Sequence, residues 1–193
     1  MNILYCGPPS NLIGYLIREG HDIKQTTDPL ERFQDAECII SYGYRYKIPQ
    51  NAIHAVDNRA VNLHISYLPW NRGANPNYWS WYDNTPKGVT IHYIDAGVDT
   101  GGIIVQKIVY FDDIKELLTL ENTYAKLQKE IEHLFISNWQ VLFRLPRIPQ
   151  PEGGSSHTKA NYIYTPHGWK TQCKLVQDIG KVERAYKDRI WLG

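Results

Sequence analysis

Three side chains in this 193-residue chain, two at the end of a strand pattern and one in a later turn, combine the types needed to move a proton and hold an oxyanion: Asn62, His64 and Asp99. An imidazole transfers a proton near neutral pH or, when charged, stabilises negative charge developing on oxygen. A nearby carboxylate favours the charged, oriented ring, and a side-chain amide can donate a hydrogen bond to the oxyanion. Asn62 and His64 are two residues apart, so on a strand they project from one face. The same types also serve as a strand-end amide, a hydrogen-bonded core histidine and a turn carboxylate, and spacing alone leaves both readings open. His92 and Asp95 add metal-ligand types, but no H-E-x-x-H-like spacing joins them. His92 is read as strand packing, and no metal is expected.

Strand ends are needed to hold such residues. Residues 2–6 form an apolar run closed by Gly7-Pro8-Pro9, and Ser10 caps a helical stretch over 11–19 with Leu12, Leu16 and Ile17 on one side. A weak strand over 22–26 and one helical turn over 29–33 follow, then a buried strand over 36–41 ending in the aromatic loop 42–49. The strand 60–64 carries Asn62 and His64, and 75–82 includes a short helix. Residues 88–94 and 102–110 alternate as strands that can pair as neighbours, and the turn between them holds Asp99. The longest helical signal spans 120–145, with Leu120, Tyr124, Leu127, Ile131, Leu134, Phe135, Trp139 and Leu142 at three- and four-residue steps before Pro146 and Pro149.

Short buried strands alternating with helices predict an α/β domain with a Rossmann-like, mainly parallel, twisted sheet, a long helix and a short C-terminal tail. Ligands in such sheets sit at the carboxyl ends of strands, here just after Cys6, Ser41, His64 and Ile94. The expected division is a catalytic domain over 1–149 and an extension over 150–193 that packs on it and closes the substrate site. Trp139 and Phe143 need cover, from a homodimer through the long helix or the tail, or from the sheet itself.

Charge is balanced, with Lys+Arg 21 against Asp+Glu 20 and a net charge of +1, so the basic excess typical of nucleic-acid binding is absent and no nucleic-acid partner is expected. No apolar run approaches the ~20 residues of a membrane span. Three cysteines, an odd number, with Cys6 and Cys38 inside apolar strands, argue for a reducing compartment. A soluble, cytoplasmic protein is the expectation.

The wider string carries more. Asn62-Leu63-His64-Ile65-Ser66-Tyr67-Leu68-Pro69, then Arg72-Gly73, then Gly88-Val89-Thr90-Ile91-His92-Tyr93-Ile94-Asp95-Ala96-Gly97-Val98-Asp99-Thr100-Gly101-Gly102 resembles the 10-formyltetrahydrofolate-dependent formyltransferases. The resemblance is strong over about residues 37–110 and present only in outline before them. It implies the formyltransferase fold, 10-formyltetrahydrofolate as formyl donor, no metal, and catalytic roles for Asn62, His64 and Asp99. In that family an acceptor amine attacks the formyl carbon, the Asn and His stabilise the tetrahedral oxyanion, and His64 is the candidate to take the amine's proton. Whether His64 acts as base or as charged oxyanion partner stays open. The resemblance also implies a pterin held by the loop from Ser41 through Tyr42, Gly43, Tyr44, Arg45, Tyr46 and Ile48, facing Asp95, Gly97 and Val98. Loop packing is the alternative for the tyrosines.

Three acceptors fit the family. Length and neutral charge count against the initiator tRNA. Glycinamide ribonucleotide enzymes match in length, but Pro8 and Pro9 remove two backbone donors from the loop that would hold a phosphate. The stretch 66–79 resembles sugar N-formyltransferases acting on nucleotide-linked amino sugars for surface glycans. There Ser66, Arg72, Gly73, Asn75 and Trp79 are the expected substrate contacts: Arg72 offers a fork for phosphate, and Trp79 and Trp81 offer faces for a base or sugar unless they are core. Tyr162, Tyr164 and His167 in the tail would then close the site. The reading is formyl transfer to a nucleotide-linked amino sugar, with phosphoribosylglycinamide formyltransferase as alternative. Folate hydrolysis and a non-catalytic folate- or sugar-binding module are further alternatives.

Overall fold

The run Asn2–Cys6 becomes β1, buried from Ile3 onward on both faces, as a central parallel strand must be. The structure is a computed structural model describing residues 1–111, 118–161 and 163–190, with backbone alone for 186–190. After β1, the Ser10 hydroxyl accepts from the Leu12 N–H at 3.2 Å and caps α1 (Asn11–Arg18), a cap of a kind worth about 1 kcal/mol. β2 (Asp22–Thr26) and β3 (Cys38–Tyr42) flank β1 in parallel, and β4 (Ala60–His64) pairs in parallel with β3.

β6 (Gly88–Tyr93) and β7 (Ile103–Ile108) complete the six-stranded sheet in the order β2-β1-β3-β4-β6-β7. They run antiparallel to their neighbours; between β6 and β7 the short turn cannot make the crossover that parallel pairing needs. The sheet is therefore mainly parallel. A second, two-stranded sheet joins β5 (Arg72–Gly73) to β8 (Ser156–His157) in parallel, stitching the C-terminal segment to the loop after β4.

Three elements differ from expectation. The turn over 29–33 does not form. Five residues cannot offset helix nucleation, and Leu30 and Phe33 instead pack irregularly against the sheet. Conversely α2 (Gln50–Ala55) forms where no helix was foreseen, because its N-cap is Pro49, without a side-chain cap, and six residues show no period. The long helix divides into α4 (Leu120–Asn138) and a 3-10 turn over Trp139–Arg144. Asn138 Nδ2 donates to the Leu134 carbonyl at 2.8 Å, competing with the backbone bond that would continue the helix. α3 (Pro76–Tyr82) and the tail helix α5 (Cys173–Ile190) pack together.

Val61 and Leu63 of β4 pack with α1 and α4 on one face, alongside Leu12, Leu127, Ile131 and Phe135. Strand alternation turns Asn62 and His64 to the opposite face, that of Ile39, Ala60 and α2. Trp139 is buried, its Nε1–H donating to His21 Nε2 at 3.0 Å, and Phe143 packs on the same core. Both are covered within the chain, so they supply no reason for a dimer. All three cysteines are buried and free. Among the described residues no helix is long and apolar enough to cross a membrane.

Candidate active site

Asn62 and His64 end β4, and Asp99 comes to them from the turn between β6 and β7, with φ +54. Gly101 makes that approach possible: a Cβ there would overlap the Tyr93 carbonyl oxygen. Asp99 Oδ1 accepts from Asn62 Nδ2 at 2.8 Å, and Oδ2 accepts from the Gly73 N–H at 2.8 Å. His64 Nδ1 stands 3.6 Å from Oδ2, too far for a hydrogen bond and close enough for strong charge interaction. His64 Nε2 lies 3.0 Å from the Asn71 carbonyl oxygen. A carbonyl can only accept, so Nε2 carries the proton and Nδ1 is the free position of the neutral ring.

His92 belongs to the same cluster. It pairs with Asn62 across β4 and β6, and its Nε2 is 3.3 Å from both Asn62 Nδ2 and Asp99 Oδ1. Its Nδ1–H donates to the Tyr93 carbonyl at 2.8 Å, which leaves Nε2 as acceptor for Asn62 in the neutral ring. Burial pulls the His64 imidazole below its ordinary range. Asp99 pushes it up, His92 pushes it down again and Asn71 supports the charged form, yet burial prevails. For Asp99 burial raises the pKa, but His64, His92 and the Gly73 N–H outweigh it and hold the carboxyl well below the usual carboxylate range.

The C-terminal segment fixes this cluster from behind. Gln150 Nε2 donates to the carbonyls of Asp99 and Gly101, each at 2.8 Å, while its Oε1 accepts from Arg72 Nε at 2.9 Å. Ser155 Oγ accepts from the Asn71 N–H at 2.9 Å, bracing the residue that holds His64. A Cβ on Gly73, at φ +87, would overlap the His157 carbonyl oxygen, so β8 can lie beside β5 only against glycine.

A family model described as formyl transferase matches residues 18–138, more than half of the chain. The chain belongs to the formyl transferase family. It is 43% identical to the crystal structure of the formyltransferase PseJ from Anoxybacillus kamchatkensis in complex with UDP-4,6-dideoxy-4-formamido-L-AltNAc and tetrahydrofolate. That likeness covers 92% of this chain and 98% of PseJ, with a TM-score of 0.83. An N-formyltransferase from Helicobacter canadensis, in complex with folinic acid and dTDP-3-aminofucose, shares the fold at TM-score 0.71 and 18% identity, covering 92% of this chain and 78% of its own. Phosphoribosylglycinamide formyltransferase from Bacillus subtilis (strain 168) is 33% identical over 98 residues, 50% of either chain. This chain spans about half the length of the curated relatives it matches.

The two loops that the formyl transferase resemblance gave to a pterin are mixed in exposure. Ser41 and Ile48 are buried, Tyr44 is half-buried with its hydroxyl donating to the Asp28 carbonyl at 2.6 Å, and Gly43, Arg45 and Tyr46 face solvent. Tyr42 is buried on the α4 side. Asp95 Oδ1 accepts from the Gly97 N–H at 3.0 Å and from the Thr100 hydroxyl at 2.6 Å, shaping a turn whose tip exposes Val98.

The side chains expected to contact the acceptor make contacts within the chain. Arg72 gives Nε to Gln150 and Nη1 to the Gly153 carbonyl, so its fork latches the C-terminal segment. Trp79 is buried and stacked on His157 at 4.0 Å and 3°, which closes that ring face to a base or sugar. Trp81 packs in the core against Phe111 under Lys87. Ser66 is buried, with its hydroxyl donating to the Trp70 carbonyl. Gly73 serves Asp99 through its N–H, and Asn75 is an exposed, positive-φ cap of α3. Tyr162 lies outside the described residues; Tyr164 and His167 are exposed.

Proposed function

We propose that the chain transfers the formyl group of 10-formyltetrahydrofolate to the amine of a nucleotide-linked amino sugar, in the cytoplasm, toward surface-glycan synthesis. The observation that carries this is the Asn62, His64 and Asp99 cluster at the carboxyl end of β4, in a chain alike over nearly its whole length to a formyltransferase bound to a UDP-formamido sugar and tetrahydrofolate. The free, buried cysteines suit a reducing compartment. Residues 1–149 form the catalytic domain in this reading, and 150–193 an extension that completes it through β8 and Gln150.

The amine nitrogen attacks the formyl carbon, and the carbonyl π pair moves to oxygen. Asn62 Nδ2 donates to that oxygen by exchanging its longer contact, the 3.3 Å one to His92, and keeps its bond to Asp99. His64 Nδ1 takes the amine proton, and Asp99 stabilises the imidazolium so formed. Collapse restores the carbonyl, breaks the bond to the folate nitrogen and returns the proton to that nitrogen.

A lowered His64 pKa favours the base role. The active form is then neutral and is lost as pH falls through a value below 6.5, so kcat/KM stays level down to about that pH and declines beyond it. A rate that rises on acidification instead assigns His64 as charged oxyanion partner. The direct assay incubates UDP-, dTDP- and GDP-linked amino sugars with 10-formyltetrahydrofolate and follows the formamide by mass. Product from glycinamide ribonucleotide alone moves the chain to purine synthesis, and folate binding without turnover makes it a binding module.

Gln150 supplies a further expectation. Gln150→Ala frees the Asp99 turn and lowers kcat about ten- to a hundredfold, as small misplacements of reacting groups do. Steady-state kinetics should show the folate KM little changed; an unaltered kcat disconnects the C-terminal segment from the chemistry.

A further inference from the structure

Asn71 is fully buried in the loop after β4, and each of its polar groups has a partner. Its carbonyl stands 3.0 Å from His64 Nε2. Its N–H donates to Ser155 Oγ at 2.9 Å, and that hydroxyl in turn donates to Asn71 Oδ1 at 3.2 Å. The amide nitrogen faces the other way, where Nδ2 donates to Thr85 Oγ1 at 2.8 Å in the loop between α3 and β6. The backbone selects the same residue type. At φ +56 Asn71 lies in the left-handed region, which asparagine enters more readily than other side chains with a Cβ.

Both pins are themselves anchored. Thr85 is buried, its N–H donates to the Ser80 carbonyl at 3.1 Å, and its carbonyl accepts from Lys87 Nζ at 2.9 Å. The Ser155 N–H donates to the Pro69 carbonyl at 3.3 Å, and its carbonyl accepts from the Arg72 N–H at 2.9 Å. A Cβ on Gly154 would overlap the Pro69 carbonyl oxygen, so glycine there lets Ser155 come this close. Together these bonds set where one carbonyl oxygen stands. That oxygen decides which imidazole nitrogen keeps the proton, because a carbonyl accepts and never donates. If it drifts, the ring turns and its tautomers exchange, and the Nδ1 lone pair loses its aim.

We propose that Asn71 is the positioning residue of His64: pinned between Thr85 and Ser155, it holds the carbonyl that keeps Nε2 protonated and Nδ1 open as the base. The inference rests on the formyl-transfer reading above, which makes Nδ1 the proton acceptor. It gives the C-terminal segment a second hold on the chemistry, through Ser155, apart from the hold Gln150 has on Asp99.

Asn71→Gly keeps the left-handed backbone and the carbonyl and removes both side-chain pins. With 10-formyltetrahydrofolate and an amino-sugar acceptor, kcat should fall about ten- to a hundredfold with both KM values within about twofold, as misplacement of a reacting group does. Asp99 from the β6–β7 turn and His92 from β6 are the titratable groups facing His64 among the described residues, and neither changes. The Asn71 bond supports the charged ring, so its loss moves the acid limb of kcat/KM to lower pH. Asn71→Asp is the counterpart. The same shape still meets Ser155, the Thr85 hydroxyl turns to donate, and the added charge beside His64 moves the limb to higher pH. Imidazole nitrogen NMR of the substrate-free protein reads the ring directly, with one Nε2–H tautomer in the wild type and an exchanging mixture in Asn71→Gly. Ser155→Ala leaves Asn71 in place and should show the same changes to a smaller degree. An unaltered His64 spectrum and kcat in folded Asn71→Gly, or in Ser155→Ala where the glycine variant does not fold, overturns the assignment. These NMR changes in a protein that formylates glycinamide ribonucleotide alone keep the assignment and overturn the acceptor reading.

Discussion

His64→Ala lowers kcat/KM by about two to four orders of magnitude, the loss expected when a positioned proton acceptor is removed. The ring is held by one bond to the Asn71 carbonyl and by the Asp99 carboxylate, and Nδ1 is its one free nitrogen in the neutral form. His92 does not take that place, because it spends Nδ1 on Tyr93 and turns Nε2 to Asn62 and Asp99. Truncation also leaves the buried Asn71 carbonyl without its donor, at about 1–3 kcal/mol, so a modest fall in Tm accompanies the loss. His64→Gln separates the two effects, since its amide can still donate to Asn71 but takes no proton: it should be folded and inactive. Initial rates beside thermal melts decide the matter. Near-normal turnover in a folded His64→Ala removes His64 from the chemistry.

What was readable in the sequence follows the strands. β1 and β4 were legible at Asn2–Cys6 and Ala60–His64 because apolar runs closed by turn residues leave little choice of register. The alternation in β4 put Asn62 and His64 on one face. The turn bearing Asp99 was legible from its glycines, and its convergence on β4 from the family pattern. His92 was hidden because a strand histidine is ordinarily packing; the β4–β6 register that sets it opposite Asn62 is a long-range fact. Gln150 was hidden more deeply. A glutamine between Pro149 and Pro151 signals only extended chain, and its three bonds reach back to Arg72, Asp99 and Gly101. The intrachain contacts of Arg72 and Trp79 were hidden for the same reason. A guanidinium and an indole are equally suited to a ligand or to the chain's own tail, and β8 takes both: Gln150 and Gly153 bind the one beside it, and His157 covers the other.

Asp99→Asn should cost about two to three orders of magnitude in kcat/KM, although the two side chains are nearly the same shape. Both carboxylate oxygens are accepting, from Asn62 Nδ2 and from the Gly73 N–H. An amide has one oxygen, so its NH2 must oppose one of those two donors, and either Asn62 or the β5 turn is displaced. Removing the charge also strips the imidazolium of its counter-ion when the proton arrives on His64. Because Asp99 raises the His64 pKa, the substitution lowers it further, and the acid limb of the remaining activity should move to lower pH. The two residues act in one step, so the double variant His64→Ala with Asp99→Asn should lose about as much as the worse single variant, well short of the summed losses. Full additivity in the double-mutant cycle separates their roles and leaves Asp99 as a clamp on Asn62 and β5, with no part in holding the proton.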